Sequence, residues 1–326
     1  MRIAINGFGR IGRQFLKIAL ENQELEVVAI NDLGDLDNLA YLLEFDSVYR
    51  NYDKKVETKN GNLVVGGKTI KFLQDPEPAK LPWRDLVIDV VVECTGRFTS
   101  SDAAKVHLDA GAKRVVISAP AKDDMTPTCT PNVNVSALTE SKITSNASCT
   151  SNSIIPIAAI LGENPGIKLS LINTVHGYTA EQSLVDGPMP KLHKDMRRGR
   201  AAAQNIVPTT SGAASAVGKT IRSMEGKFDG MALRVPVPAG SILDFTFISE
   251  KKTSAEEIND ILKEAAAKPE WQGIITVTDK PIVSSDILGN THGSIVDLNL
   301  TRVVGGELVK VMAWYDNEWG YASMLV

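Results

Sequence analysis

The N-terminal fold is determined by the stretch Gly7-Phe8-Gly9-Arg10-Ile11-Gly12. It follows a strand-like run over residues 2–5 and opens residues 11–20, where apolar side chains recur at helical spacing. The three glycines allow a tight turn, close approach of the backbone to a pyrophosphate and close packing of the helix on the strand. A strand, a glycine-rich turn and a helix in this order predict a dinucleotide-binding unit.

Asp32 supports this interpretation because it lies twenty residues beyond Gly12, at the end of the next strand-like run. A carboxylate at this point accepts hydrogen bonds from ribose hydroxyls and repels a 2′-phosphate, which favours NAD over NADP. We therefore expect Gly7, Gly9, Gly12 and Asp32 to bind NAD. The helix N-terminus that begins with Arg10 and Ile11 is expected to receive the pyrophosphate.

The first third of the chain alternates short runs rich in Val and Ile with helical stretches. The strand-like runs are residues 2–5, 26–30, 87–93 and 114–118, and the helical stretches are residues 11–20 and 101–110. Residues 63–70 interrupt the alternation as a predicted hairpin. This pattern predicts an α/β fold with a Rossmann-type, doubly wound parallel sheet.

After residue 150 the strand-like runs become longer and alternate more strictly between apolar and polar residues. They occupy residues 168–174, 231–237, 242–250, 294–300 and 308–315. We expect a second, α+β domain with a mixed, largely antiparallel sheet. Ser254 and Glu257 form a predicted capping box for a helix that ends before Pro269. Residues 178–203 contain few apolar side chains and predict a long ordered loop.

Composition excludes several classes of protein. The chain has 326 residues, 43% of them hydrophobic, and a net charge of −4, so neither a nucleic acid nor an anionic membrane is expected as the main partner. No run is long enough to span a membrane, and the N-terminus lacks a signal-peptide pattern. Three scattered cysteines predict neither a disulfide framework nor a metal site. A cytoplasmic location is expected.

A reactive thiol is predicted within Ser145-Asn146-Ala147-Ser148-Cys149-Thr150-Ser151-Asn152, directly before an apolar run over residues 154–161. This pattern places Cys149 at the beginning of a helix, where backbone N–H groups and the helix dipole favour a thiolate. We expect the pKa of the Cys149 thiol to fall below its usual value of about 8.5. The alternative is a small buried residue of the core.

His176 is the candidate base because it ends a strand-like run, where functional groups of α/β proteins collect. His107, in a helical stretch, and His193, in a charged loop, are interpreted as structural. Donors for anions follow in the locally basic residues 191–200, in Thr209-Thr210-Ser211-Gly212 and at Arg234.

Several motifs together resemble the phosphorylating glyceraldehyde-3-phosphate dehydrogenase family. The resemblance extends from Ile3 to Tyr321 and rests on the glycine-rich turn, the cysteine octad and the following stretches: Ala29-Ile30-Asn31-Asp32, Glu93-Cys94-Thr95-Gly96-Arg97-Phe98, Thr174-Val175-His176, Ala201-Ala202-Ala203-Gln204-Asn205-Ile206-Val207-Pro208, Arg234-Val235-Pro236 and Trp314-Tyr315-Asp316-Asn317-Glu318-Trp319-Gly320-Tyr321. It implies NAD-dependent oxidative phosphorylation of D-glyceraldehyde 3-phosphate to 1,3-bisphosphoglycerate, as in glycolysis and gluconeogenesis.

The resemblance also implies roles for individual residues. Cys149 would attack the aldehyde, and His176 would remove the hydroxyl proton as hydride passes to NAD, leaving a thioester that inorganic phosphate releases. The matching phosphate-binding positions are Thr179 and Arg234 for the substrate, and Ser148, Thr150, Arg198, Ser211 and Gly212 for inorganic phosphate. The matching cofactor positions add Thr95, Ser118 and Asn317, whose amide would orient the nicotinamide.

The family's architecture implies an NAD-binding domain over residues 1–148, joined by a C-terminal segment 316–326. A catalytic and oligomerisation domain would cover residues 149–315. The family is tetrameric, so a homotetramer is expected, with the loop over residues 178–203 reaching towards a neighbouring cofactor.

Two positions depart from the family pattern. Ser153 replaces a second cysteine that many members carry, and Glu181 replaces a common aspartate beside the substrate-phosphate position. Two other functions remain open: an erythrose-4-phosphate dehydrogenase, and a non-catalytic binding protein on the same fold. Asp32 and the stretch Ser211-Gly212-Ala213-Ala214 favour the glyceraldehyde enzyme over the first. The intact Cys149 and His176 oppose the second.

Overall fold

The computed structural model describes residues 1–189 and 195–326, which divide into two units. The first unit comprises Met1–Cys129, Val135–Ala147 and Leu325–Val326, and the second comprises Thr130–Asn134 and Ser148–Met324. Of the C-terminal segment that we assigned to the first domain, Leu325 and Val326 pack in the first unit.

The first unit is built on a sheet of eight strands with helices between them. Its strands are β1 (Arg2–Asn6), β2 (Glu26–Asn31), β3 (Phe45–Asp46), β4 (Arg50–Asn51), β5 (Val56–Lys59), β6 (Asn62–Val65), β7 (Lys68–Leu73), β8 (Val90–Glu93), β9 (Arg114–Ile117) and β10 (Ile143–Ser145), and its helices are α1 (Arg10–Ala19), α2 (Leu36–Glu44), α3 (Ser101–Asp109) and α4 (Ser136–Glu140). The sheet order is β10-β9-β8-β1-β2-β7-β6-β5, and β3 pairs with β4 separately.

The predicted Rossmann-type sheet is confirmed, since β10, β9, β8, β1, β2 and β7 pair in parallel. The predicted hairpin is formed by β6 and β7, which pair antiparallel and extend the sheet at one edge. The strand predicted over residues 87–93 begins only at Val90. Val87 adopts a φ of 52°, which an extended strand does not permit.

Glycine at two positions of the nucleotide turn is a steric requirement. Gly7 has a φ of 96°, and a Cβ there would lie 2.7 Å from the backbone nitrogen of Thr95. A Cβ on Gly12 would lie 2.2 Å from the carbonyl oxygen of Gly7. Only glycine therefore allows α1 to begin directly against the end of β1.

The second unit contains a mixed sheet, as predicted. Its elements are α5 (Cys149–Glu163), β11 (Ile167–Gly177), β12 (Val207–Thr210), α6 (Ala213–Thr220), β13 (Phe228–Val235), β14 (Ser241–Ser249), α7 (Ala255–Ala266), β15 (Ile275–Thr278), β16 (Ser294–Asp297), β17 (Arg302–Val304), β18 (Leu308–Tyr315) and α8 (Trp319–Leu325). The order is β12-β13-β11-β14-β18-β16-β15, with β17 paired to β18. The pairs β11–β13 and β15–β16 are parallel, and the others are antiparallel.

Two predicted segments of this unit differ from the structure in detail. The strand predicted over residues 294–300 ends at Asp297, and a 3₁₀ turn over Leu298–Leu300 replaces its last part. Asp297 accepts a hydrogen bond from the Asn299 amide, which starts this turn. The predicted loop contains a 3₁₀ turn over Met196–Gly199. His193 and the first part of the predicted basic run 191–200 lie outside the described residues.

Two features are absent from the described residues, a membrane-spanning helix and a cluster of metal ligands. No helix among them is long and apolar enough to cross a membrane. Within the same residues, no group of three or more His, Cys, Asp or Glu side chains is placed to hold a metal ion.

Helix α7 begins as the sequence predicts, because the Ser254 hydroxyl accepts a hydrogen bond from the Glu257 amide at 3.2 Å. Ser254→Ala removes this cap, and we expect a loss of about 1 kcal/mol in the free energy of unfolding. Thermal unfolding of both proteins measures the loss. Ser254→Asp is the control, because aspartate also caps a helix N-terminus and is expected to preserve the Tm. An unchanged Tm in the alanine variant would contradict this account.

Candidate active site

The thiol of Cys149 lies at the N-terminus of α5, as predicted. Cys149 is the first helical residue, and the Ser148 hydroxyl caps the helix by accepting a hydrogen bond from the Ser151 amide at 3.1 Å. Ala147 precedes the cap with a φ of 56°, a conformation that turns the chain sharply into the helix. The polar residues of the cysteine octad therefore build the helix start, and the apolar residues after them are buried.

His176 faces the thiol from the end of β11. Its Nε2 lies 3.3 Å from Cys149 Sγ, while its Nδ1 lies 2.6 Å from the carbonyl oxygen of Gly177. Two groups compete for Nδ1, because the Gly177 carbonyl only accepts hydrogen bonds and Arg234 Nη1, 2.8 Å away, only donates. The carbonyl contact is the shorter, so we assign the ring proton to Nδ1 and the Arg234 hydrogen bond to the carbonyl. The lone pair of Nε2 then points at the thiol, which is the arrangement of a nucleophile with its base.

Arg234 brings a positive charge to this pair. It lies opposite His176 in the β11–β13 register, and its Nη1 lies 2.8 Å from His176 Nδ1. Nη1 donates to the Gly177 carbonyl at 3.2 Å. Parallel pairing of two strands thus places the guanidinium beside the imidazole.

Burial and charge act in opposite directions on the thiol. Burial raises the pKa of Cys149, while the Arg234 charge and the Thr150 amide lower it, and burial prevails. The predicted fall in this pKa is therefore wrong for the site without substrate. The sequence shows the helix N-terminus but not how far the surrounding protein removes water from the thiol.

The imidazole is held neutral by the same surroundings. Burial, followed by the nearby Arg234 charge, lowers the pKa of His176 to about 3. At neutral pH the site therefore holds an unprotonated imidazole beside the thiol, ready to accept its proton.

Two residues of the predicted substrate-phosphate site carry buried groups without a hydrogen-bond partner. Within the described residues, Arg234 Nε and Thr179 Oγ1 are buried and have no hydrogen-bond partner. Buried polar groups are normally satisfied, and both of these groups suit an oxygen-rich anion. They belong to the two residues that the resemblance implies for the substrate-phosphate subsite, which stays a prediction.

Arg198 and Glu181 lie beside this predicted site. Arg198 Nε donates to Thr209 Oγ1 at 2.9 Å, and its Nη1 donates to the Glu181 carboxylate. Arg234 Nη2 lies 3.9 Å from the same carboxylate. Glu181 therefore bridges the arginines of the two predicted phosphate subsites.

The other predicted residues of the inorganic-phosphate subsite have partners of their own. The Ser148 hydroxyl lies 2.8 Å from the Ser151 hydroxyl, and the Ser211 hydroxyl accepts from the Ala213 amide at 3.3 Å. Gly212 precedes the first residue of α6. Thr150 Oγ1 bonds to the Tyr315 hydroxyl at 2.8 Å.

Tyr315 is a site residue that the sequence did not reveal. Its hydroxyl lies 2.6 Å from Thr174 Oγ1 in addition to its bond with Thr150, and its ring meets the His176 ring edge-on at 5.9 Å. It is buried. The signals for it were its place at the end of a predicted strand and within the motif that contains Asn317.

A pocket of about 290 Å³ lies within the first unit, at the predicted NAD site. Gly7, Gly9, Asp32 and Thr95 are among the residues that line it. Asp32 accepts hydrogen bonds from the Phe8 amide at 2.6 Å and from the Gly34 amide at 2.8 Å, which fixes its carboxylate at the turn. Gly9 provides no side-chain cap for α1, and the helix begins at the turn where a pyrophosphate is predicted to bind.

Two other predicted cofactor residues, Arg10 and Ser118, have side chains that bond to other residues of the first unit. The Arg10 guanidinium bonds to Asp46 at 2.8 Å, and Arg10 and Ile11 are the first two residues of α1. Ser118 Oγ donates to the Glu93 carbonyl at 2.9 Å and is outside the described lining of the pocket.

Asn317 lies in the second unit, and the oxygen of its side-chain amide accepts two hydrogen bonds. Asn317 Oδ1 accepts from the Gly240 amide at 2.9 Å and from Ser241 Oγ at 3.1 Å. The Nδ2 group of Asn317 is left to donate to a ligand. The predicted role in orienting a nicotinamide requires such a donor.

Comparison with known proteins identifies both halves of the chain. Residues 1–101 match the family model "Glyceraldehyde 3-phosphate dehydrogenase, NAD binding domain", and residues 148–317 match that of the C-terminal domain. The chain is similar over its whole length to proteins named glyceraldehyde-3-phosphate dehydrogenase from three bacteria. It is 51% identical to that of Thermotoga maritima, 50% to that of Mycobacterium avium and 47% to that of Borreliella burgdorferi, covering 97%, 96% and 98% of those proteins.

Substitutions at two glycines of the turn are expected to distinguish an effect on cofactor binding from an effect on folding. A Cβ on Gly9 would meet nothing within 4 Å, so Gly9→Ala is expected to keep its Tm. Its methyl group would occupy the space of the pyrophosphate, and we expect the Kd for NAD to rise about tenfold. Gly12→Ala is the contrasting variant, because its clash with the Gly7 carbonyl lowers the Tm as well. Calorimetric titration and thermal unfolding test both, and an unchanged Kd in Gly9→Ala would contradict the assignment.

Arg234 is expected to set the pH at which Cys149 reacts. Its charge favours the thiolate, so Arg234→Leu raises the pKa of the thiol and moves the pH profile of iodoacetamide alkylation upward by about one unit. Peptide mass spectrometry measures the rate at Cys149. Arg197→Leu, in the 3₁₀ turn over Met196–Gly199, is the control, because that exposed side chain pairs with Asp195. A profile that stays in place, or moves to lower pH, would show that Arg234 does not act on the thiol.

Proposed function

Because the chain belongs to the glyceraldehyde-3-phosphate dehydrogenase family, which comprises NAD-dependent oxidoreductases, we propose that it oxidises D-glyceraldehyde 3-phosphate and passes the acyl group to inorganic phosphate. The product is 1,3-bisphosphoglycerate, as in glycolysis and gluconeogenesis. The observation that carries this proposal is the 3.3 Å contact between Cys149 Sγ and His176 Nε2 beside the unpartnered donors of an anion site.

The first step is attack of Cys149 on the aldehyde carbon. Burial holds the thiol protonated and the imidazole unprotonated, so Nε2 of His176 is in place to take the thiol proton as the carbon–sulfur bond forms. The ring then passes this proton to the former carbonyl oxygen, and the product of this step is a thiohemiacetal.

The second step is oxidation of the thiohemiacetal. NAD, held in the pocket at the glycine turn, would supply the hydride acceptor for this oxidation. His176, neutral again after the first step, takes the hydroxyl proton, and the Arg234 charge disfavours the protonated ring. A thioester on Cys149 remains, which retains oxidation energy that direct hydrolysis would dissipate.

The third step is transfer of the acyl group to inorganic phosphate. Arg198 supplies a cation for the attacking anion, and the positions Ser148, Thr150, Ser211 and Gly212 are proposed to complete its subsite. Arg234 and Thr179 are proposed to hold the phosphate of the substrate, because their buried donors lack partners that its oxygens would supply. Two anion subsites beside one thiol suit a reaction in which inorganic phosphate attacks the acyl group of a phosphorylated substrate.

The alternative substrates differ in the aldehyde rather than in the chemistry. Erythrose 4-phosphate would use the same thiol, base and phosphate site, but Asp32 and Ser211-Gly212 favour the glyceraldehyde substrate. Asp32 also favours NAD over NADP, because its carboxylate would repel a 2′-phosphate. A non-catalytic role is disfavoured by the intact contact between Cys149 and His176.

A homotetramer is the proposed assembly. One face of the second sheet carries large apolar side chains that remain exposed, among them Leu169 at 58%, Leu171 at 63% and Met231 at 49%. Exposed apolar patches of this kind favour association with another protein surface. A second copy of the chain, with the same face, is the partner that the family resemblance favours.

The covalent scheme is tested by Cys149→Ser. We expect this variant to lose phosphate-dependent NADH formation to background, because a serine hydroxyl beside a neutral imidazole is a much weaker nucleophile than a thiol. NAD binding, measured by calorimetric titration, should remain within about twofold, because the cofactor pocket lies in the first unit. Retained dehydrogenase activity in the variant would refute the scheme.

The substrate assignment is tested with the unmodified protein. NADH formation is followed with each aldehyde phosphate, with and without inorganic phosphate. We expect faster turnover of glyceraldehyde 3-phosphate and a strong dependence on inorganic phosphate. Faster turnover of erythrose 4-phosphate, or equal rates without inorganic phosphate, would overturn the proposed reaction.

A further inference from the structure

A buried carboxylate lies beneath the NAD pocket and has no role in the chemistry described above. Glu93 ends β8, and its side chain is 0% exposed. Its Oε2 accepts a hydrogen bond from Asn6 Nδ2 at 2.6 Å. Its Oε1 accepts from the Thr95 amide at 2.8 Å and from the Thr95 hydroxyl.

The fourth partner of the carboxylate is a buried histidine. His107 Nε2 lies 3.1 Å from Glu93 Oε2, and Trp83 Nε1 lies 3.1 Å from His107 Nδ1. An indole N–H only donates, so Nδ1 is the acceptor and Nε2 carries the proton. All four partner groups of Glu93 therefore donate, and the carboxylate acts as acceptor throughout.

These contacts join the ends of three neighbouring strands at the cofactor turn. Asn6 is the last residue of β1 and directly precedes Gly7. Its Oδ1 accepts from Asn31 Nδ2 at 2.8 Å, and Asn31 is the last residue of β2. Through Asn6 and Thr95, the carboxylate at the end of β8 thus connects the parts of the chain that line the pocket.

The hydrogen bonds between Glu93 and Thr95 hold the loop after β8 in close contact with Gly7. A Cβ on Gly7 would lie 2.7 Å from the Thr95 nitrogen, so the loop after β8 packs directly against the glycine turn. The Thr95 amide is held at that distance by Glu93. A small displacement of Thr95 would move the surface that the dinucleotide approaches.

The group must be a carboxylate rather than an amide. Four donors offset the cost of removing the charge from water, and hydrogen bonds to an ionised acceptor are stronger than neutral ones. The amide of a glutamine has only one acceptor atom, and its NH₂ would face donors of Asn6, Thr95 or His107. Exchange of one oxygen for nitrogen would push these groups apart with little change in volume.

We propose that Glu93 is a positioning residue for NAD binding, which sets the relative places of the glycine turn and the loop after β8 through Asn6 and Thr95. It does not touch the groups that carry out the reaction. Its loss therefore weakens NAD binding without changing the chemistry at Cys149 and His176.

The test compares Glu93→Gln with Trp83→Phe in the full chain, freed of NAD, by calorimetric titration with NAD. Two mispaired buried donors predict a rise of about tenfold in Kd for Glu93→Gln. Trp83→Phe disrupts the far end of the network but leaves the bonds to Asn6 and Thr95, so its Kd should stay within about twofold while its Tm falls. At saturating NAD, kcat of Glu93→Gln should remain within about threefold of the original.

A general structural role would give a different pattern. Equal rises in Kd for both variants, in step with their losses in Tm, would overturn the proposal, and so would a Kd within about twofold for Glu93→Gln. If Glu93→Gln does not fold, Glu93→Asp decides, because it keeps the charge but withdraws it from Asn6 and Thr95. An unchanged Kd in that variant would equally refute the positioning role.

Discussion

The contact between Cys149 Sγ and His176 Nε2 is the interaction on which the proposed chemistry depends. Several independent parts of the second unit create it. The cap of Ser148 sets where α5 begins, and the Gly177 carbonyl fixes the ring proton away from the thiol. The parallel register of β11 and β13 adds the charge of Arg234. Burial then keeps both partners neutral until a substrate arrives.

The sequence predicted the parts of the fold whose causes are local. The glycine turn could be recognised because steric exclusion at Gly7 and Gly12 leaves no other residue possible. The start of α7 followed from Ser254, whose capping bond involves residues three positions apart. The beginning of β8 was misplaced, because nothing in the residue types around Val87 reveals its positive φ.

The site could be predicted less completely, since its energetics depend on contacts between distant segments. Cys149 and His176 were identified by residue type and place, but the direction of the thiol pKa depends on burial by side chains throughout the unit. Tyr315 was missed because its partner Thr150 is 165 residues away in the sequence. Glu93 was visible in a motif, yet only the fold brings it to Asn6.

The central claim is that the acyl group is carried on Cys149 between oxidation and phosphate transfer. The most direct measurement mixes the protein with NAD and glyceraldehyde 3-phosphate without inorganic phosphate, stops the reaction in acid and determines the mass of the peptide that contains Cys149. The account predicts a phosphoglyceroyl thioester on this peptide, and this thioester disappears when inorganic phosphate is added before the acid. NADH formation with an unmodified Cys149 peptide would contradict it.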